Sequence, residues 1–261
     1  MTFCLGIRVR SGLIALADTK IVKGEEKLTK SKISLTDSDG RQWWLMTSGL
    51  RSVRDKTVTY LEQKLKHDHA PVQNLFEIAN LFGEQLRRVR QEDEHSLEIG
   101  NLRFNLHAIV GGQLEQDVST KMYYIYPEGN WIECYEDSPY FIIGRTHYAK
   151  PILDRLLRFD SDIKYAAALA FLGFDATRAC VTDVGYPIDM VLHQSTNGVI
   201  HQRFEATDLI HVSKWWNQTL SDALQQFPLD CFHKLFPDPL DMVSGSSGIQ
   251  QAIIAQRVTD E

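Results

Sequence analysis

Met1-Thr2-Phe3-Cys4-Leu5-Gly6-Ile7-Arg8-Val9, then Arg10-Ser11-Gly12, then Leu13-Ile14-Ala15-Leu16-Ala17-Asp18: this opening stretch decides the fold. Phe3, Leu5, Ile7 and Val9 alternate with Thr2, Cys4, Gly6 and Arg8, the period of two expected of a half-buried strand. Arg10-Ser11-Gly12 reads as a turn, and the apolar run from Leu13 to Ala17 pairs back as a second strand. Thr2 stands at the start of this hairpin. Removal of Met1 would leave Thr2 with a hydroxyl and a free α-amine, and an α-amine of pKa about 7.7–8.0 accepts a proton near neutrality.

Outward from the hairpin, residues 33–36 and 42–47 form a strand pair around Asp37-Ser38-Asp39-Gly40, whose Asp-Gly step is a turn signal. The period then changes. Val58, Leu61 and Leu65 recur at helical spacing, as do Leu75, Ile78, Phe82, Leu86 and Val89. Strands are expected again over 104–110, 122–126, 131–135 and 141–143, helices over 147–158 and 163–172, strands over 188–193 and 199–203, and a late helix over 212–227. The order is strands, two helices, strands, two helices, strands. Without βαβ alternation it predicts an α+β layered fold, two apolar sheets packed together and covered by helix pairs. One domain is expected over 1–243. Ser244-Gly245-Ser246-Ser247-Gly248 then opens a flexible tail, 244–261. Trp215 and Trp216, being adjacent, do not both face one core, so one is a candidate interface anchor.

A hydrophobic fraction of 43% supports a packed core. A formal charge of −6 argues against general nucleic-acid binding. Arg87, Arg88 and Arg90 are followed at once by Glu92, Asp93 and Glu94, the pattern of a solvated helix face. No apolar run is long enough to span a bilayer, and no secretory leader pattern opens the chain. The four cysteines, Cys4, Cys134, Cys180 and Cys231, are scattered with no CxxC step. They predict reduced thiols in the cytoplasm, with neither a disulfide frame nor a metal site.

Three residues join Thr2 as candidates. Asp18 ends the second strand, which places it beside the start of the first. Lys32 precedes the third strand. Gly49, in Thr47-Ser48-Gly49-Leu50, lies where a strand gives way to a helix. An ammonium beside the Thr2 hydroxyl favours the alkoxide, Asp18 balances that ammonium, and a backbone N–H at a helix mouth is a donor for an oxyanion.

These residues resemble the proteasome β-subunit superfamily of N-terminal-nucleophile hydrolases, and most closely its bacterial Anbu group. The resemblance runs from Met1 to about Arg203. Besides the opening hairpin it includes Val110-Gly111-Gly112-Gln113, Tyr126-Pro127-Glu128-Gly129-Asn130, Ile143-Gly144, Lys150-Pro151-Ile152-Leu153-Asp154-Arg155 and Val184-Gly185-Tyr186-Pro187-Ile188-Asp189. It implies a four-layer αββα sandwich, Thr2 as nucleophile, Asp18 and Lys32 as the charge pair, and the Gly49 N–H as oxyanion donor. The implied activity is peptide or amide hydrolysis through an ester on Thr2 Oγ, with no metal or organic cofactor. A polypeptide or peptide substrate and homo-oligomeric rings or open spirals are implied as partners; no ATPase partner is named. Lys30 competes with Lys32 for its role.

The supporting positions depart from the family pattern. Arg145 stands where a serine follows the glycine of the strand ending at Gly144, and near the positions that hold the α-amine Cys180 replaces an aspartate and Asp183 a serine. These departures keep two alternatives open: a self-assembling scaffold with a silent site, and an amidase for small amides or isopeptides.

Overall fold

Both faces of the opening hairpin are buried in the structure, a computed structural model that describes residues 2–23, 26–38, 41–67, 72–196, 198–232 and 235. Met1, the Asp39-Gly40 half of the expected turn and the expected tail 244–261 lie outside the described residues. The strands in chain order are β1 (Phe3–Val9), β2 (Gly12–Asp18), β3 (Lys20–Lys23), β4 (Glu26–Thr29), β5 (Ile33–Ser38), β6 (Arg41–Gly49), β7 (Leu106–Gln113), β8 (Lys121–Ile125), β9 (Trp131–Glu133), β10 (Tyr140–Gly144), β11 (Ile188–Gln194) and β12 (Gly198–Phe204). The helices are α1 (Arg51–His67), α2 (Leu75–Ile99), α3 (Lys150–Leu156), α4 (Ile163–Cys180) and α5 (Ala206–Gln225).

One antiparallel sheet has the order β10-β1-β2-β11-β12 and a second the order β5-β6-β7-β8-β9. The hairpin β3–β4 stands apart from both. In the first sheet β1 lies between β10 and β2. Its apolar positions face α4, where the Phe3 ring lies 6.2 Å from that of Phe174. Its other face meets the second sheet, with Cys4 in one core cluster with Trp44, Met46, Ile109 and Met122. A Cβ on Gly6 would come within 2.5 Å of Met122 Sδ, so the small residue is what lets the sheets approach. Arg8, expected to be exposed, is buried and donates to the carbonyls of Thr120 and Cys134 at 3.1 and 2.7 Å. The half-buried reading of this strand is therefore corrected. Its non-apolar positions are small or internally bonded, and they serve a second buried face.

Helices α1 and α2 cover the second sheet. Leu61, Leu75, Ile78, Phe82 and Leu86 share a core cluster with Trp43, Leu45, Leu106 and Val110. The Glu77 carboxylate accepts the backbone N–H groups of Gln73 and Asn74 at 2.8 and 2.9 Å, satisfying donors that the start of α2 leaves free. The basic-then-acidic run on α2 is a charged surface: Arg88 pairs with Glu92, Arg90 with Glu94, and Lys56 of α1 with Glu92 and Asp93. The helix expected over 163–172 continues through Gly173 to Cys180, and Gly173 packs against Ala149, where a Cβ would meet that methyl at 3.0 Å. Among the described residues no helix is long and apolar enough to cross a membrane.

Backbone contacts divide the chain into two units, Met1–His211 and Val212–Glu261. The described part of the second holds most of α5 and a 3-10 turn, Leu229–Phe232, and the Phe227 ring before that turn stacks on Phe232 at 5.8 Å.

Candidate active site

Strand pairing fixes the first part of the site. β1 and β2 pair with Cys4 opposite Ala17, so the start of one strand meets the end of the other. Asp18, fully buried, accepts the Phe3 backbone N–H on Oδ1 at 2.8 Å. Lys32 Nζ donates to the same oxygen at 2.6 Å and to the Lys20 carbonyl at 3.0 Å. Burial pushes the Asp18 pKa up, and the Lys32 ammonium beside it opposes that rise. Asp18 Oδ2 has no hydrogen-bond partner among the described residues.

The hairpin β3–β4, absent from the sequence reading, sets the lysine register. Lys20 pairs with Thr29, so the chain returns to its point of departure. The Lys30 N–H then donates to the Thr19 carbonyl at 2.9 Å, and two residues later Lys32 reaches Asp18. Thr19 is itself held by the Pro187 carbonyl, through its N–H at 3.0 Å and its hydroxyl at 2.7 Å.

Thr2 is half-buried beside β10. Its carbonyl accepts the Arg145 N–H at 3.2 Å, and a Cβ on Gly144, at φ +97°, would fall 1.8 Å from that carbonyl oxygen. Arg145 thus meets Thr2 through its main chain, a contact that does not depend on the side chain. Gly49 ends β6 at φ +152°, and a Cβ there would lie 2.1 Å from the Asn105 carbonyl. The next residue, Leu50, donates its N–H to that same carbonyl at 2.9 Å. The strand-to-helix junction is thereby fixed at a close backbone approach only glycine allows.

Thr2, Lys32 and Gly49 line one cleft of about 330 Å³, together with Lys30, Arg51 and Arg54. Cys4 is no rival nucleophile: burial pushes its thiol up to about 12. Cys180 and Asp183 are not among the residues lining the cleft. Cys180 ends α4 with an exposed thiol. A larger cleft of about 750 Å³, around Arg90, Arg103 and His107, shares no residue with the first.

The sequence reading missed a buried support behind the cleft wall. Asp189 on β11 takes Arg203 in a two-pronged ion pair at 2.7 and 3.0 Å. Burial alone would raise its pKa, but the Arg203 and Ser31 hydrogen bonds outweigh it and hold the carboxyl below its usual value. Ser31 itself lines the cleft. An acid inside a strand facing a basic residue on the next strand was the available signal.

No protein-family model matches the chain, and no curated protein does. Solved structures do. A Gly-1 mutant of Anbu from Hyphomicrobium sp. strain MC1 is 30% identical with a TM-score of 0.79, covering 87% of this chain and 98% of that one. The helical assembly of the Anbu complex from Pseudomonas aeruginosa gives 26% identity and a TM-score of 0.80, over 87% and 97% of the two chains. Anbu (ancestral beta-subunit) from Yersinia bercovieri gives 27% and 0.77, over 87% and 97%. A hairpin that buries Asp18 beneath its first strand, a lysine returned to it by a second hairpin, and these matches along nearly the full length of the relatives together place the chain in the Anbu family of proteasome-related proteins.

Proposed function

We propose that the chain is a threonine-type N-terminal-nucleophile hydrolase of peptide or amide bonds, working in the cytoplasm on a four-layer αββα sandwich. The observation that carries this reading is the convergence of Thr2, Lys32 and Gly49 on one cleft with Asp18 buried behind them. For the layers, the support is the helix pair over the second sheet, α4 against β1 and β2, and the core cluster shared by both sheets.

In this mechanism loss of Met1 frees the Thr2 α-amine. The amine, directly or through a water, takes the Oγ proton as Oγ attacks the substrate carbonyl. Lys32 lowers the energy of the forming alkoxide, and Asp18 keeps that ammonium in place. The Gly49 N–H donates to the oxyanion of the tetrahedral intermediate. The protonated amine then gives its proton to the leaving nitrogen, an ester remains on Thr2 Oγ, and water releases it by the same steps in reverse. The chemistry calls for no metal or organic cofactor. A homo-oligomer is also proposed, on the precedent of the helical assembly formed by the P. aeruginosa relative.

One observation favours the scaffold alternative. With Cys180 exposed at the end of α4, that position brings no carboxylate to the amine. The test is intact mass followed by turnover of a panel of unfolded polypeptides and small amides. The expected result is a chain lighter by one methionine, and a Thr2→Ala variant at least about a thousandfold slower. Full turnover by Thr2→Ala would sink the reading, and a chain that retains Met1 would turn it toward the scaffold.

A further inference from the structure

We infer that the cleft beside Thr2 selects an acidic side chain, Asp or Glu, on the residue whose carbonyl is attacked, and that Lys30 is the cation that reads it. This selection rests on the hydrolase reading above and names its substrate class.

Among the described residues lining the cleft, Lys30, Lys32, Arg51 and Arg54 are cationic and none is acidic. The four cations differ in what they already hold. Lys32 is committed to Asp18 and to the Lys20 carbonyl. Arg51 and Arg54 share a single carboxylate, Asp55, at 3.3 and 2.9 Å. Among the described residues two acids thus answer four cations, and positive charge is left over. Lys30 pairs with no acid among the described residues. It is nonetheless well placed, because its main chain is pinned to Thr19, the residue after Asp18.

A partly buried cluster with an excess of one sign attracts the opposite sign and repels its own, so discrimination comes from both directions. An acidic side chain supplies the missing partner. A basic one adds a further cation to the cluster. The volume, about 330 Å³, is at the lower end for small-ligand pockets and suits one side chain. Thr47 and Ser48 offer hydroxyls to a carboxylate, and Ile21 offers an apolar wall to its methylenes.

The test uses the Met1-free full chain and N-blocked tripeptides of one sequence that release 7-amino-4-methylcoumarin after Glu, Leu or Lys. The expected kcat/KM is at least about tenfold higher for Glu than for Lys at low salt, and the ratio narrows as salt screens the pair. Lys30→Met, which keeps the length of the stem and removes the charge, is expected to collapse the ratio toward one. Lys30→Glu is expected to invert it. Equal turnover of the three, a preference for Lys, or an unchanged ratio in Lys30→Met overturns the proposal. If no peptide is hydrolysed, fluorescein-labelled peptides ending in Glu or Lys are titrated into Thr2→Ala protein. Tighter binding of Glu would then keep the selection while removing the hydrolase reading, and equal binding would remove both.

Discussion

Lys32, with 9% of its side chain exposed, and Asp18, with none, form a buried ion pair. Removing one partner of such a pair leaves the other charge uncompensated, unless that group changes protonation. Asp18 has that escape, since burial already raises its pKa and Lys32 is the main opposing influence. In Lys32→Met, then, Asp18 takes up a proton at a higher pH than in the wild type. An acid whose folded pKa lies above its unfolded one stabilises the protein below the unfolded value, and that contribution is lost as pH rises through the folded value. The variant is therefore expected to fold, to lose melting temperature as pH rises through the range in which Asp18 ionises, and to hydrolyse substrate at least about a hundredfold more slowly. Turnover and thermal melts across pH check all three; wild-type turnover in this variant removes Lys32 from the chemistry. At this scale Thr2 and Asp18 were legible because strand ends position them. The choice between Lys30 and Lys32 was not, because it depends on how far a hairpin extends before it turns.

Strand β11 carries a second titration consequence. His193 is buried between Leu13 of β2 and Val199 of β12, and its Nδ1 has no partner among the described residues. Burial pushes its pKa from 6.5 down to about 4. Between those two values the unfolded chain binds a proton that the folded chain refuses, so stability rises with pH across that interval. The slope is at most about 1.4 kcal/mol per pH unit, the worth of one proton. It is fully recovered above the unfolded value and lost as pH falls. Urea midpoints measured across the interval are expected to climb with pH in the wild type and to climb less in His193→Leu; parallel curves would remove His193 as the cause. A strand was expected over 188–193, where β11 lies, and α1, α2 and most of the other strands were likewise expected. The β3–β4 hairpin was not readable, because Lys20–Lys23 and Glu26–Thr29 carry charges where a packed strand carries apolar residues. The second buried face of β1 was hidden for a related reason: Cys4 and Gly6 pack through small size, which hydrophobic periodicity does not register.

At the scale of the whole molecule, the mixture of antiparallel sheets and helices was anticipated by the order of elements. Assembly depends on surfaces that a single chain leaves uncovered. In the second unit α5 exposes 50% of Leu220 and 73% of Leu224, and Phe227, just past its end, is 42% exposed. Leu220 and Leu224 are four residues apart and so share a helix face. Trp215 is 59% exposed but points well away from that stripe, so the pair Trp215-Trp216 divides between two directions as its adjacency requires. A stripe of large apolar side chains on a solvated helix is characteristic of a surface that meets another protein. If copies of this chain associate head to tail, the contact is heterologous, and it gives a ring or an open helix according to whether the rotation closes. Such a contact is repeated at every joint, so one change weakens all joints together. Leu220→Glu combined with Leu224→Glu places two carboxylates on the stripe, where an interface would have to desolvate them. The expected result in sedimentation velocity is a shift from assembled species to single chains at a concentration where the wild type is assembled, with association weakened at least about tenfold. The far-ultraviolet circular dichroism of the variant is expected to stay that of the wild type, because both positions are exposed and glutamate is a good helix former. Unchanged sedimentation of the double variant would move the assembly contact to another face of the molecule.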